Sequence, residues 1–147
     1  MGCVADNFQA SSSAQGRAFE DAVQTIVRTG GHTIVNTGFT DERSGEQVDL
    51  HVRTRSGVDV WIECKGSWNT RSNVPGLRRT DTAKKAVANA WHLQHAHGKD
   101  RPPYVLVTSH LPNEGSYSAR LLGDALEAGL FTDVVQFTAV NDMLEKL

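Results

Sequence analysis

Asp49, Glu63 and Lys65 are the residues whose types and spacing could do chemistry. Glu63 and Lys65 stand within Val58-Asp59-Val60-Trp61-Ile62-Glu63-Cys64-Lys65, where Val58, Val60, Ile62 and Cys64 alternate with Asp59, Trp61, Glu63 and Lys65. That period of two predicts a strand with one buried face, and it puts Glu63 and Lys65 on the same side. The stretch before it, Gln47 to Thr54, alternates likewise, with Val48, Leu50 and Val52 against Asp49, His51 and Arg53. Arg55-Ser56-Gly57 between them reads as a short hairpin loop with Gly where a positive φ is wanted. A three-residue loop sets Val52 opposite Val60, Leu50 opposite Ile62 and Val48 opposite Cys64 on the apolar side. On the other side Arg53 faces Asp59 and Asp49 faces Glu63. A slip of one residue would set carboxylates against aliphatic side chains, so the binary pattern selects this register or one two residues away.

Like charges directly opposite on a sheet repel, with Cβ atoms only about 5 Å apart. A divalent cation reverses the sign. A hard ion such as Mg²⁺ or Mn²⁺ takes one or two carboxylates together with water and phosphate oxygens. Lys65 on the same face could then hold or deprotonate a water beside the ion. The bare pattern also describes a solvated polar face with an incidental Asp/Glu pair and a free lysine.

An acidic residue on one strand followed by Glu-x-Lys at the end of its neighbour resembles the core motif of the PD-(D/E)XK nuclease superfamily. Here it is Asp49, then Glu63-Cys64-Lys65. The family's leading proline is absent, Val48 standing in its place. The resemblance implies an α/β fold of restriction-endonuclease type, with an αβββαβ core of mixed sheet flanked by helices over roughly residues 16–136. It implies that Asp49, Glu63 and Lys65 are catalytic and that Glu20, matching a glutamate of the family's first helix, joins them. It further implies that Asp49, Glu63 and the Cys64 backbone carbonyl hold Mg²⁺ or Mn²⁺. Small members that resolve DNA junctions or act as restriction-type endonucleases are usually homodimers.

The elements that would position these residues are legible from periodicity. Residues 1–13, ending in Ser11-Ser12-Ser13, show no clear period and read as a flexible lead, or as a late helix cap; residues 14–147 read as one domain. Phe19, Ala22, Val23, Ile26 and Val27 predict an amphipathic helix ending at Gly30-Gly31, with Glu20 on the flank of its apolar stripe. His32 to Thr37 reads as a first strand, and residues 38–46 as a polar loop in which Glu46 is either an exposed acid or a substitute ligand. After Lys65 comes a loop of small polar residues, then a helix capped by Thr80 or Asp81. Ala83, Val87, Ala90, Trp91 and Gln94 lie on one side of that helix. Tyr104 to Thr108 is a nearly continuous apolar run, which fits a crossover strand buried on both faces. Leu121, Leu122, Ala125 and Leu126 mark a further helix, residues 133–137 a short strand, and Val140, Met143, Leu144 and Leu147 a terminal helix.

The densest basic run of a slightly acidic chain, formal charge −2, follows the motif directly: Arg71, Arg78, Arg79, Lys84 and Lys85, with Ser67 at its start. Loops leaving the strand that bears a site usually contact ligand, so phosphate-backbone contact is the functional reading and a solvated face the plain one. The net charge argues against indiscriminate coating of nucleic acid but not against a local patch. His92, His95 and His97 lack a third ligand or cysteine at zinc spacing and read as exposed helix-end residues. His51 is expected to contact phosphate or to stack on Trp61. Cys3 and Cys64 do not suggest a disulfide. No apolar run approaches a membrane span and the start lacks signal-peptide regions, so the expectation is a cytoplasmic protein.

These readings converge on a Mg²⁺-dependent endonuclease that hydrolyses DNA phosphodiester bonds, in duplex or branched DNA. The alternative is a non-catalytic nucleic-acid-binding or protein-docking module on the same fold. The intact Asp49, Glu63 and Lys65 weigh against it.

Overall fold

The computed structural model describes residues 3–67 and 76–147, with side chains from residue 14 onward. Helix α1 (Cys3–Thr29) precedes three strands, β1 (Thr33–Thr40), β2 (Gln47–Arg53) and β3 (Asp59–Lys65). A turn of 3₁₀ helix at Gly76–Arg78 leads into α2 (Thr80–His97), followed by β4 (Tyr104–Thr108), α3 (Tyr117–Glu127), β5 (Asp133–Gln136) and α4 (Val140–Glu145). The sheet has the order β1-β2-β3-β4-β5. β1, β2 and β3 are antiparallel, whereas β3–β4 and β4–β5 are parallel, each joined by a helical crossover. This is a mixed α/β sheet flanked by helices, and the first six elements run in the expected αβββαβ order.

Two cores lie on opposite faces of the sheet. Phe19, Val23 and Val27 of α1 and Val140, Met143 and Leu144 of α4 pack on Leu50, Val52, Val60, Ile62 and Cys64. On the other face Ala83, Ala86, Ala90 and Leu93 of α2, with Leu122 and Ala125 of α3, cover Trp61, Tyr104 and Leu106. β3 is therefore buried on both faces, not on one as its alternation predicts, because helices cover it from each side. Of the alternates, Trp61 joins the α2–α3 core and Glu63 is buried against the Tyr104 hydroxyl.

Several boundaries differ from the sequence reading. α1 begins at Cys3, so residues 3–13 belong to the helix. β1 continues through Gly38, Phe39 and Thr40, since Phe39 pairs with Val48 and its ring packs edge-on to Trp61 at 5.6 Å. α2 is capped at Arg79 with no side-chain hydrogen bond, and Asp81 pairs with the Arg79 guanidinium at 3.3 Å instead of capping. The side of α2 that docks is a stripe of alanines ending at Leu93, while Trp91 is 55 % exposed. Small side chains let the helix approach the sheet, and the indole is displaced outward.

The hairpin register is the expected one where it is formed: Leu50↔Ile62, His51↔Trp61, Val52↔Val60 and Arg53↔Asp59. Thr54 N–H donates to the Val58 carbonyl at 2.9 Å, and Gly57, φ +91°, closes the turn. The pairing stops at Leu50↔Ile62. Val48 belongs to the α2-side core while Leu50 belongs to the α1-side core, so the alternation breaks at Asp49. The expected pairs Val48 with Cys64 and Asp49 with Glu63 are not made. The Asp49 carboxylate takes the Cys64 N–H at 2.8 Å in place of a ladder bond.

Candidate active site

The break in the hairpin builds the site. With the ladder ended at Leu50, Asp49 Oδ2 is fixed by a backbone donor of the facing strand. Glu63, on β3, is all but buried; its Oε1 receives the Lys65 ammonium at 3.1 Å and its Oε2 the Tyr104 hydroxyl at 3.1 Å. Lys65 is the more exposed partner, at 25 % against 4 % for the glutamate side chain, so it stands between Glu63 and solvent. Thr108, beside Lys65 in the parallel ladder, donates to the Lys65 carbonyl at 2.7 Å. The last residues of β3 are thus held from β2 on one side and from β4 on the other.

Glu20 reaches this group from α1. Burial, then the charges of Asp49, Glu63 and Asp21, push its carboxyl up to about 7, and it shares a hydrogen bond with Asp49. Burial and the Asp49 charge likewise push Glu63 up to about 7, against the opposing Lys65 and Tyr104 bonds. Burial raises Asp49 as well, although the Cys64 N–H and Lys65 pull it down. Burial alone would lower Lys65, but Glu63, Asp49 and Glu20 together hold its ammonium above the usual value. These carboxylates favour its charged form. The lowered value expected for a water-activating lysine needs a second positive charge beside it.

The four residues Glu20, Asp49, Glu63 and Lys65 therefore come together from three elements. Three carboxyl groups share one lysine, an excess of negative potential that favours a further cation. Among the described residues no three His, Cys, Asp or Glu side chains are gathered closely enough to hold a metal ion on their own. Asp49 keeps Oδ1 outside the Cys64 bond, and each Glu63 oxygen has a lone pair beyond its single donor. That donor set fits a hard ion taking two carboxylates with water or substrate oxygens in its remaining positions.

The remaining candidates disperse. Ser67 donates its hydroxyl hydrogen to Gln15 Oε1 at 2.7 Å, and its N–H to Ser109 Oγ at 3.1 Å, at the same end of the sheet. Leu77 N–H donates to the His110 carbonyl at 3.1 Å, which brings exposed Arg78 and Arg79 out beside the end of β4. Lys84 lies with its ammonium 5.5 Å from the centre of the Tyr117 ring, toward α3, and Lys85 is exposed. Arg71 lies outside the described residues. Glu46 pairs with His92 at 2.9 Å and is engaged away from the carboxyl group as α2's partner. His97, nearly buried, pairs with Asp41 at 2.9 Å, so these histidines tie the β1–β2 loop to α2 and are not free helix-end residues. His51 hydrogen-bonds Asp59 at 3.1 Å and its ring lies against Phe39.

Sequence reasoning missed Tyr104, which read as one more apolar residue of β4. The available signal was its hydroxyl: a tyrosine inside a strand buried on both faces needs an acceptor, and a Glu across a parallel pair is within reach.

The fold and this cluster define an α/β chain with a mixed five-stranded sheet and a carboxyl–lysine site where β2 and β3 part. No family model and no curated protein matches the sequence. Among solved structures the chain is similar to the Pyrococcus furiosus SfsA structure in complex with Ca²⁺, at 19 % identity and a TM-score of 0.48. The match covers 85 % of this chain and 55 % of that one, so this chain spans about half its length. No helix among the described residues is long and apolar enough to cross a membrane.

Proposed function

We propose that this protein is a divalent-metal-dependent endonuclease that hydrolyses phosphodiester bonds in duplex or branched DNA. The observation that supports it is the convergence of Glu20, Asp49 and Glu63 on one lysine, with carboxyl groups raised by burial and mutual repulsion. Asp49 and Glu63, with the Cys64 backbone carbonyl, would hold Mg²⁺ or Mn²⁺, which supplies an activated water and charge neutralisation at the phosphate. Tyr104 and Lys65 fix the Glu63 carboxylate from opposite oxygens, so its orientation is set before substrate arrives. Lys65, the more solvent-facing member, holds a water or a phosphate oxygen against that carboxylate. Glu20, hydrogen-bonded to Asp49, would orient that carboxylate toward the ion. Arg78, Arg79 and Lys85, with Ser67, offer charge and hydrogen bonds to the DNA backbone.

The test is cleavage of supercoiled plasmid and of a labelled four-way junction with Mg²⁺, with Mn²⁺ and with EDTA. Cutting that requires metal, and that Lys65→Ala and Asp49→Asn lose while Asp49→Asn still binds DNA, is the expected result. Full cleavage by Asp49→Asn would sink the assignment. DNA binding indifferent to metal and without cutting would favour a binding module.

A further inference from the structure

The turn of the β2–β3 hairpin lies at the other end of β3 from the carboxyl cluster, where it meets the residues after α1 and the last turn of α4. His32, Thr54, Arg55, Ser56, Leu144 and Glu145 line a cavity of about 170 Å³ there. That is far above the roughly 10–15 Å³ that admits a single water.

Hydrogen bonds fix what the walls offer. Arg55 N–H donates to His32 Nδ1 at 3.1 Å, so Nδ1 carries no hydrogen and the neutral ring bears its own on Nε2. His32 is 5 % exposed, and Nε2 has no partner among the described residues. A buried donor without an acceptor is destabilising and is seldom left so. Thr54 Oγ1 accepts the Val58 N–H at 3.0 Å and lies 2.9 Å from Ser56 Oγ. The two hydroxyls share that one bond, so one hydroxyl hydrogen is left over whichever of them donates. Arg55 lays its stem against Gly31, where a Cβ would come within 2.7 Å of the arginine Cδ, and its guanidinium reaches Glu145 at 3.0 Å. The walls thus present a ring N–H, a hydroxyl and a guanidinium, and their charged acceptor, Glu145, is already engaged by the arginine.

Walls rich in donors call for an acceptor, and charge selects its kind. Both side chains of the Arg55–Glu145 pair are largely exposed, at 61 % and 49 %, so the pair is weak and exchanges readily. A carboxylate from outside that takes the place of Glu145 on the guanidinium keeps the charge count of the cavity unchanged. Its second oxygen can then turn to His32 Nε2, the donor that Glu145 leaves without a partner. A phosphate dianion would instead add charge beside the displaced glutamate.

We infer that the hairpin-turn cavity is a binding site for a small carboxylate, held by the Arg55 guanidinium and His32 Nε2, with Glu145 as its internal competitor. The Thr54 and Ser56 hydroxyls supply a third donor. The inference does not rest on the proposed chemistry, because the cavity and the carboxyl cluster share no residue.

Acetate is the probe. The full chain, metal-depleted and in Tris chloride at constant ionic strength, is titrated while two-bond ¹H–¹⁵N NMR follows the His32 ring, its signals assigned by their loss in His32→Gln. A saturable shift of the Nε2 resonance is expected. Arg55→Gln should raise the acetate Kd at least about tenfold, as loss of a charge-assisted bond does. Glu145→Gln should lower it about two- to fivefold, the worth of an exposed pair. A variant that merely disturbed the fold would weaken binding, so the gain in Glu145→Gln keeps the test independent of stability. No saturable shift with acetate would overturn the inference, the cavity then holding water alone. So would inorganic phosphate that binds as tightly as acetate, or an acetate affinity that either variant leaves unchanged.

Discussion

Tyr104 is wholly buried and its hydroxyl hydrogen goes to Glu63 Oε2 at 3.1 Å. Tyr104→Phe keeps the ring and removes that donor, leaving Lys65 as the carboxylate's side-chain partner. We expect it to cost about 1–2 kcal/mol in urea denaturation, the penalty of a buried acceptor left short. Metal-dependent cleavage should fall about 10–100-fold, the range for losing a group that orients a ligand, well short of the loss in Lys65→Ala. A Tyr104→Phe enzyme as inactive as Lys65→Ala would mean that the tyrosine touches the reacting atoms. His32 offers a pH test away from the site. It is 5 % exposed, its Nδ1 accepts the Arg55 N–H at 3.1 Å, and its Nε2 has no partner among the described residues. Burial, then the Arg55 charge, lowers its pKa from 6.5. A depressed value favours the neutral ring in the folded state. The stability this contributes is fully present above 6.5 and is lost as pH falls through the lower folded value. Thermal melts in EDTA from pH 8 downward should therefore show the wild type losing stability below the ordinary histidine range more steeply than His32→Gln. Equal slopes would contradict the neutral assignment.

At the scale of elements, the 3₁₀ turn before α2 is seated on the end of β4 by close backbone approach. Gly76 has φ +56°, and a Cβ there would lie 2.9 Å from Thr108 Oγ1 and 3.1 Å from the His110 carbonyl oxygen. Gly57 has φ +91° in the hairpin turn with open space around it. Gly76→Ala should therefore cost about 2–3 kcal/mol, adding collision to backbone strain, whereas Gly57→Ala should cost about 1 kcal/mol from strain alone. Chemical denaturation of the two variants measures this, and equal costs would mean that the turn is not held on β4. The hairpin register was readable because the binary pattern allows this pairing or one two residues away, and a three-residue loop selects Val52 with Val60 and Leu50 with Ile62. It was unreadable beyond Leu50, because nothing in the alternation reveals that the Asp49 side chain would displace a backbone acceptor. The inward-facing side of α2 was misread for a related reason. Periodicity marks a stripe but does not show that alanines would bury and a tryptophan stay outside.

For the whole molecule, a sheet with covered faces separates two cores, Val23 lying in one and Leu93 in the other. Val23→Ala and Leu93→Ala should each lower stability by about 2–4 kcal/mol. The double variant should equal their sum within about 0.5 kcal/mol, as for sites without shared partners. A larger coupling would show that packing strain crosses the sheet. The αβββαβ order was legible as a whole because the period changes from 3.6 to 2 and back along the chain. The site was legible only as Asp49, Glu63 and Lys65. Tyr104 enters it from a strand 41 positions further along the chain than Glu63, where no local pattern points back to the carboxylate.

That separation has a consequence in time. The Asp49 bond to the Cys64 N–H spans 15 positions within a hairpin, while the bonds from Tyr104 to Glu63 and from Thr108 to Lys65 span 41 and 43 and wait for α2 to bring β4 alongside. Short-range contacts close first, because loop-closure entropy grows with span. The two halves of the cluster are therefore expected to form at different stages of folding. Hairpin substitutions such as Val52→Ala should chiefly slow folding, and Tyr104→Phe should chiefly speed unfolding, in stopped-flow kinetics. The strand that clamps Glu63 would then be the last to arrive and the first to let go.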